Sequence, residues 1–109
     1  MITNLTEKTI VSQQEKYCTS FWSQMCGLMF RKKKNLVMIF PTERKISLHS
    51  FFVFYPLEIV FADTQGKVLE TYRLLPWSFW TSTHKGKYLI ELALSESRVK
   101  EKNLLKIKK

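Results

Sequence analysis

Residues 46–75, ISLHSFFVFYPLEIVFADTQGKVLETYRLL, constrain this fold more than any other stretch. Residues 46–55 are rich in aromatic and β-branched side chains, which suit a pleated, half-buried surface. Pro56 cannot donate to a ladder, so a first strand is expected to end there. Leu57, Ile59 and Phe61 then alternate with Glu58, Val60 and Ala62, the period-two pattern of a second strand. Asp-Thr-Gln-Gly at 63–66 is a turn. Aspartate favours its first position, and glycine its last or a bulge that follows. Residues 67–75 return as a third strand with Val68 inward and Tyr72 a candidate to join it, and Pro76 stops it.

The rest of the chain reads as pieces that cover or continue this sheet. Residues 1–14 are polar around the pair Ile10 and Val11, and a short edge strand or a loosely held arm is expected. From Thr19 the period changes. A hydroxyl at Thr19 or Ser20 can cap a helix by accepting an orphan amide of the first turn. Phe21, Trp22, Met25, Leu28 and Met29 recur at helical spacing, and Gly27 tolerates a left-handed stop. A short helix over 20–26 is predicted. Residues 36–40, LVMIF, read as a buried strand stopped by Pro41, with a polar loop over 41–45. Residues 77–87 read as a loop that still has aromatic matter to bury. A further strand over 88–94 sets Tyr88, Ile90 and Leu92 on one side, and Leu89, Glu91 and Ala93 on the other. Leu105 and Ile107 alternate with Lys106 and Lys108, a closing edge strand in a basic tail over 98–109. Its lysines discourage edge-to-edge pairing.

Many short strands, one short helix and no βαβ rhythm predict an all-β fold, a barrel or a sandwich. The 109 residues fit one domain with a core of its own. The longest apolar run, 51–60, is broken by Pro56 and Glu58 and falls short of the ~18 residues of a membrane span. The first sixteen residues lack the cationic start and apolar run of a secretory signal. A cytoplasmic protein with no membrane partner is therefore expected. Cys18 and Cys26 read as reduced core residues. With only His49 and His84 beside them, no metal site is expected.

The net charge of +9 is unevenly spread. Arg31, Lys32, Lys33, Lys34, Arg44 and Lys45 face only Glu43 within 31–45. Arg98, Lys100, Lys102, Lys106, Lys108 and Lys109 face only Glu101 at the end of the chain. Such segments keep a protein soluble, and they can also form a weak polyanion-binding surface using Lys32, Lys33, Lys34, Lys106 and Lys108.

No phosphate-binding glycine loop and no nucleophile elbow are present, and no cofactor and no catalytic residue are expected. His49 stands inside an apolar strand, either as a hydrogen-bonded core histidine or as a ligand-contacting group. Glu58 and Glu91 also lie within strands. A carboxylate facing inward needs a partner or takes up a proton. Arg31 is the natural partner, and pairing of Glu58 or Glu91 with Arg31 or His49 is expected. Trp77, Phe79 and Trp80 crowd one segment, as the cap of a barrel end or as a stacking platform.

Several of these motifs, taken in order, resemble a small conserved family called domain of unknown function 192. They are GLMFRK at 27–32, IFP at 39–41, LHSFFVFYPLEIVFAD at 48–63, the glycine turn with KV at 66–68, LLPW at 74–77 and YLIEL at 88–92. The likeness spans about 20–107 and is nearest to archaeal-type members. It implies a compact barrel or jelly-roll-like sandwich with a short helix near its start, and it names no activity. The recurrent polar positions of the family fall on Arg31, His49, Glu58 and Glu91, with Pro56, Gly66 and Pro76 as structural markers. The family usually carries Asp at position 58, and Gly-Asp where Lys102-Asn103 stands here.

These readings favour a β-rich binding module without catalysis, its ligand-binding candidates being His49, Arg31, Glu58, Glu91 and Trp77. An unknown small ligand or a protein is the expected partner. One alternative is an enzyme with a site near His49, Arg31 and a strand carboxylate. Another is a polyanion-binding protein using the lysine-rich segments, with nucleic acid as the less favoured partner.

Overall fold

The computed structural model describes residues 1–13, 15–18, 35–49, 56–92 and 99–108. These form ten strands: β1 (Ile2–Asn4), β2 (Thr9–Ser12), β3 (Glu15–Cys18), β4 (Asn35–Arg44), β5 (Ser47–His49), β6 (Leu57–Ala62), β7 (Val68–Leu74), β8 (Phe79–Thr81), β9 (Gly86–Leu92) and β10 (Leu105–Ile107). The largest sheet has the order β3-β4-β9-β6-β7. A smaller one has the order β10-β1-β2, and β5 and β8 form a ribbon. The all-β class read from the sequence is the one observed. A closed barrel is not: among the described residues the large sheet is open, with β3 and β7 as its outer strands. The helix predicted over 20–26 lies outside the described residues.

The large sheet separates two cores. Leu36, Met38, Phe40, Leu57, Ile59, Phe61, Leu74 and Leu89 project from one face and meet Ile46 and Trp80 beside the ribbon. Val37, Val60, Val68, Ile90 and Leu92 project from the other and meet Ile2, Val11 and Leu105 of the small sheet. Strands covered on both faces read as near-continuous apolar runs, which explains LVMIF in β4 and IVFA in β6. Removing this apolar area from water, at about 25 cal/mol per Å², is the main favourable contribution to folding.

The β6–β7 hairpin forms as the sequence indicates, with Leu57 opposite Leu74 and Glu58 opposite Arg73. The Asp63 carboxylate accepts the amides of Gln65 and Lys67, and the Asp63 carbonyl accepts the amide of Gly66. Gly66 takes φ +88°, a conformation that costs other residues strain.

Elsewhere the structure corrects the sequence reading. Pro41 does not stop β4, which runs on to Arg44 through the expected loop. Its register with β9 jumps from Ile39–Tyr88 to Arg44–Gly86. Proline, which has no amide to donate, is accommodated within this irregularity. The strand expected over 46–55 is seen as β5, and 50–55 lie outside the described residues. The loop expected over 77–87 contains β8, which finds a ladder partner in β5. Tyr72 does not turn into the core. It is 44% exposed and stacks on Trp80 at a centroid distance of 6.2 Å, its ring plane inclined by 21°.

Residues 1–12 form two strands of the small sheet, and β2, the outer one, is the edge strand expected near Ile10 and Val11. β1 is the central strand of the small sheet, with β10 on one side and β2 on the other. Asn4 anchors this region. Its Oδ1 accepts the amides of Thr6 and Glu7, and its Nδ2 donates to Asn103 Oδ1 at 2.8 Å. Asn103 Oδ1 also accepts the Lys100 amide. Both side chains are buried, so truncating one strands the polar atoms of the other. Asn4→Ala should therefore cost about 2–3 kcal/mol in urea unfolding, while Thr9→Ala, at an exposed position of β2, should stay within about 0.5 kcal/mol.

Candidate functional site

Alternation in YLIEL places Leu89 and Glu91 on the ribbon-facing side of β9, and Ile90 and Leu92 on the other. β9 lies between β4 and β6, and its register sets Glu91 opposite Leu36 on one side and Ile59 on the other. Ile59 is in turn opposite Tyr72. One row therefore crosses four strands: Leu36, Glu91, Ile59, Tyr72. Strands lie ~4.8 Å apart, so the carboxyl stands roughly 10 Å in from the outer strand.

Glu91 is buried, and its Oε2 has no hydrogen-bond partner among the described residues. Burial raises its pKa to about 7, because an ionised carboxylate loses its hydration among aliphatic neighbours. Glu15 shows the contrast. Its side chain is equally sealed, yet it accepts from Ser12 Oγ at 2.9 Å and Tyr17 Oη at 3.0 Å, and it pairs with the α-amino group of Met1 at 2.8 Å. Burial and this neighbouring carboxylate push the Tyr17 phenol up. Buried polar groups are normally satisfied in this way, so the orphaned oxygen of Glu91 is the exception that calls for an explanation.

The structure separates the two strand carboxylates. Glu58 lies on the opposite face of the sheet, half exposed, and its partner is Arg73 on the next strand at 3.5 Å. Such a surface pair adds little to stability. Arg31 lies outside the described residues, as does the side chain of His49, whose backbone pairs with Phe79. Lys32, Lys33 and Lys34 also lie outside them. Lys106 and Lys108 are exposed along the small sheet.

The aromatic segment divides. Trp80 turns inward and meets Phe61 edge-on at 6.1 Å. Trp77, at φ +59°, and Phe79 face solvent. At the outer strand the row ends in Tyr72, whose ring stacks on Trp80.

Sequence reasoning missed Glu70. This carboxylate accepts the amides of Thr83 and His84, each at 3.0 Å, and contacts His84 Nδ1 at 3.2 Å. Partial burial acts to raise its pKa, but the amide donors outweigh it and the net shift is downward. It fastens the β8–β9 connection to β7, a tertiary pairing with no local sequence signal. Among the described residues, no three His, Cys, Asp or Glu side chains gather in a metal-binding arrangement. No helix among them is long and apolar enough to cross a membrane.

Fold and site together define an all-β module in which, among the described residues, a buried carboxyl in an apolar row keeps an unpartnered oxygen. The chain belongs to the DUF192 family, described as an uncharacterized ACR, which matches residues 3–104. A UPF0127 protein of Thermococcus sibiricus is 30% identical over 95 residues, 84% of this chain and 62% of that one. The UPF0127 protein PH1112 of Pyrococcus horikoshii is 31% identical over 94 residues, 84% of this chain and 82% of its own. The chain thus spans less than two thirds of the first relative and most of the second. Among solved structures, a Sinorhizobium meliloti protein described provisionally as a transcription regulator superposes with TM-score 0.83 at 16% identity, over 96% of this chain and 88% of its own. A Novosphingobium aromaticivorans protein of unknown function superposes with TM-score 0.73 at 13% identity, over 89% and 81%. At these identities the likeness is one of fold.

Proposed function

We propose that this chain is a small-ligand-binding module, not a catalyst, built on a jelly-roll-like sandwich. Its ligand is taken on the ribbon-facing side of the large sheet, along the row that contains Glu91. The orphaned carboxyl oxygen is the observation that supports this. An apolar pocket with one converging polar group is the usual composition of a small-molecule site. A protonated Glu91 can donate one hydrogen bond and accept others, so a ligand with an apolar body and a hydroxyl, amide or amine group matches it. Tyr72, stacked on Trp80, would form an aromatic margin, with Trp77 a further candidate read from the sequence. Arg31 and His49 stay candidates read from the sequence, while Glu58, paired with Arg73 on the opposite face, does not join this row.

Native mass spectrometry of protein purified without denaturation tests the reading. Wild type is expected to carry a small molecule that organic extraction releases, and Glu91→Leu is expected to lose it. An unliganded wild type, or equal occupancy in the variant, would overturn the assignment. A carboxyl that titrates near neutrality also has the pKa of a general acid or base, which favours the catalytic alternative as a second reading. In that case Glu91→Gln would retain the molecule unchanged in affinity while its chemical conversion fell by about 100-fold or more.

A further inference from the structure

The outer face of the small sheet combines aliphatic and cationic side chains in a way that the ligand site does not use. Ladder register sets Thr3 opposite both Lys106 and Ile10. The Leu5 amide donates to the Leu104 carbonyl, which places these two leucines side by side in the next outward row. The Lys108 amide donates to the Met1 carbonyl, so the ladder extends and Lys108 falls on the same face as Lys106. The inward positions, Ile2, Val11 and Leu105, are buried in the second core. The outward aliphatic ones are well exposed: Leu5 48%, Ile10 41%, Leu104 39%. None of these outward positions carries an acid, and exposed Lys8 and Lys102 stand in the flanking turns, beside Glu7 and Glu101.

We infer that this face rests on an anionic lipid surface, with Leu5, Ile10 and Leu104 entering the headgroup region and Lys106 and Lys108 meeting anionic headgroups. Composition favours lipid over the other occupants. Lysine is depleted at protein interfaces, and aliphatic side chains offer nucleic acid no stacking surface. At a bilayer the same lysines lay their stems along apolar matter and keep their charges at the headgroups. The sequence argued against a membrane because no run can span one, but a surface contact needs no span.

Co-sedimentation with vesicles tests the inference on the intact chain. Binding is expected to vesicles containing phosphatidylglycerol and to be at least roughly tenfold weaker to phosphatidylcholine alone. Lys106→Glu with Lys108→Glu should lower the partition coefficient by roughly tenfold, and Leu5→Ser with Leu104→Ser by a similar factor. Unchanged thermal melts would show that both variants fold. Failure to bind phosphatidylglycerol vesicles overturns the inference, as does a serine variant that binds like wild type, which would reduce the contact to long-range attraction by net charge. A dimer in sedimentation velocity that the serine variant dissolves would also overturn it, assigning the face to a second copy of the chain.

Discussion

Glu91→Leu should melt roughly 10 °C above the wild type at pH 8 and close to it at pH 4, when both are measured free of ligand. The folded-state pKa of Glu91 is raised to about 7 from an ordinary value of 4.5. Below pH 4.5 the group is protonated in both folded and unfolded chains and costs nothing extra. Between 4.5 and 7 the unfolded chain releases its proton and the folded chain holds it, so stability falls as pH rises. Above 7 the deficit levels off on the order of 3 kcal/mol, at 1.36 kcal/mol per pH unit across that window. One kcal/mol corresponds to about 4 °C for a chain of this size. Glu70 works in the opposite sense, since its pKa is lowered on folding and its contribution grows with pH. The difference between variant and wild type, not the wild-type profile alone, therefore isolates Glu91. A leucine fits the row between Leu36 and Ile59, and replacing an unpaired buried acid by a hydrophobe removes the desolvation cost. A difference that does not change between pH 4 and pH 8 would show that Glu91 is not a buried, titrating group.

Gly66→Ala is expected to be among the most damaging single-atom additions. The residue sits at φ +88°, and an added Cβ would strike the Leu105 carbonyl oxygen. That carbonyl cannot move aside cheaply, because the neighbouring Leu105 amide donates to Gly66 at 2.9 Å and the Leu105 side chain fills the second core. Left-handed strain of about 1 kcal/mol and overpacking of about 1–3 kcal/mol together predict a loss of about 2–4 kcal/mol in urea unfolding. Gly66→Asn separates the two contributions. Asparagine tolerates positive φ but still carries the Cβ, so it should recover only the smaller part. The Leu105 amide should exchange faster in both variants, because the turn and β10 share this junction. If Gly66→Asn recovered the full wild-type stability, the collision with Leu105 would carry none of the cost.

The hairpin, the alternation in YLIEL and the closing edge strand at Leu105 and Ile107 were all legible in the sequence. Each depends on contacts between near neighbours: an aspartate beside the amides it accepts, or side chains that alternate with every residue. Glu91 was legible as a polar residue in an apolar strand, but its want of a partner among the described residues was not. Glu58 had the same local signature, and the two acids proved to lie on opposite faces of one sheet. A one-residue difference in register moves a side chain to the other face, and Pro56 and the following segment hide the register from inspection. The aromatic segment was misread as a loop because β8 exists only through its pairing with β5, more than thirty residues earlier. Pro41 misled for a similar reason. A proline stops a strand only where its missing amide is needed, and that depends on the opposing strand.

Taken alone, then, the sequence determined that the chain is β-rich, where its best turn lies, and which acids stood in apolar company. Tertiary structure alone decided that β1 forms the centre of a sheet, that Glu58 reaches solvent, and that Glu91 does not. Local patterns are set by backbone geometry and by the few residues within reach. The cost of a buried charge is set by everything that surrounds it, and those surroundings come from strands distant in the chain.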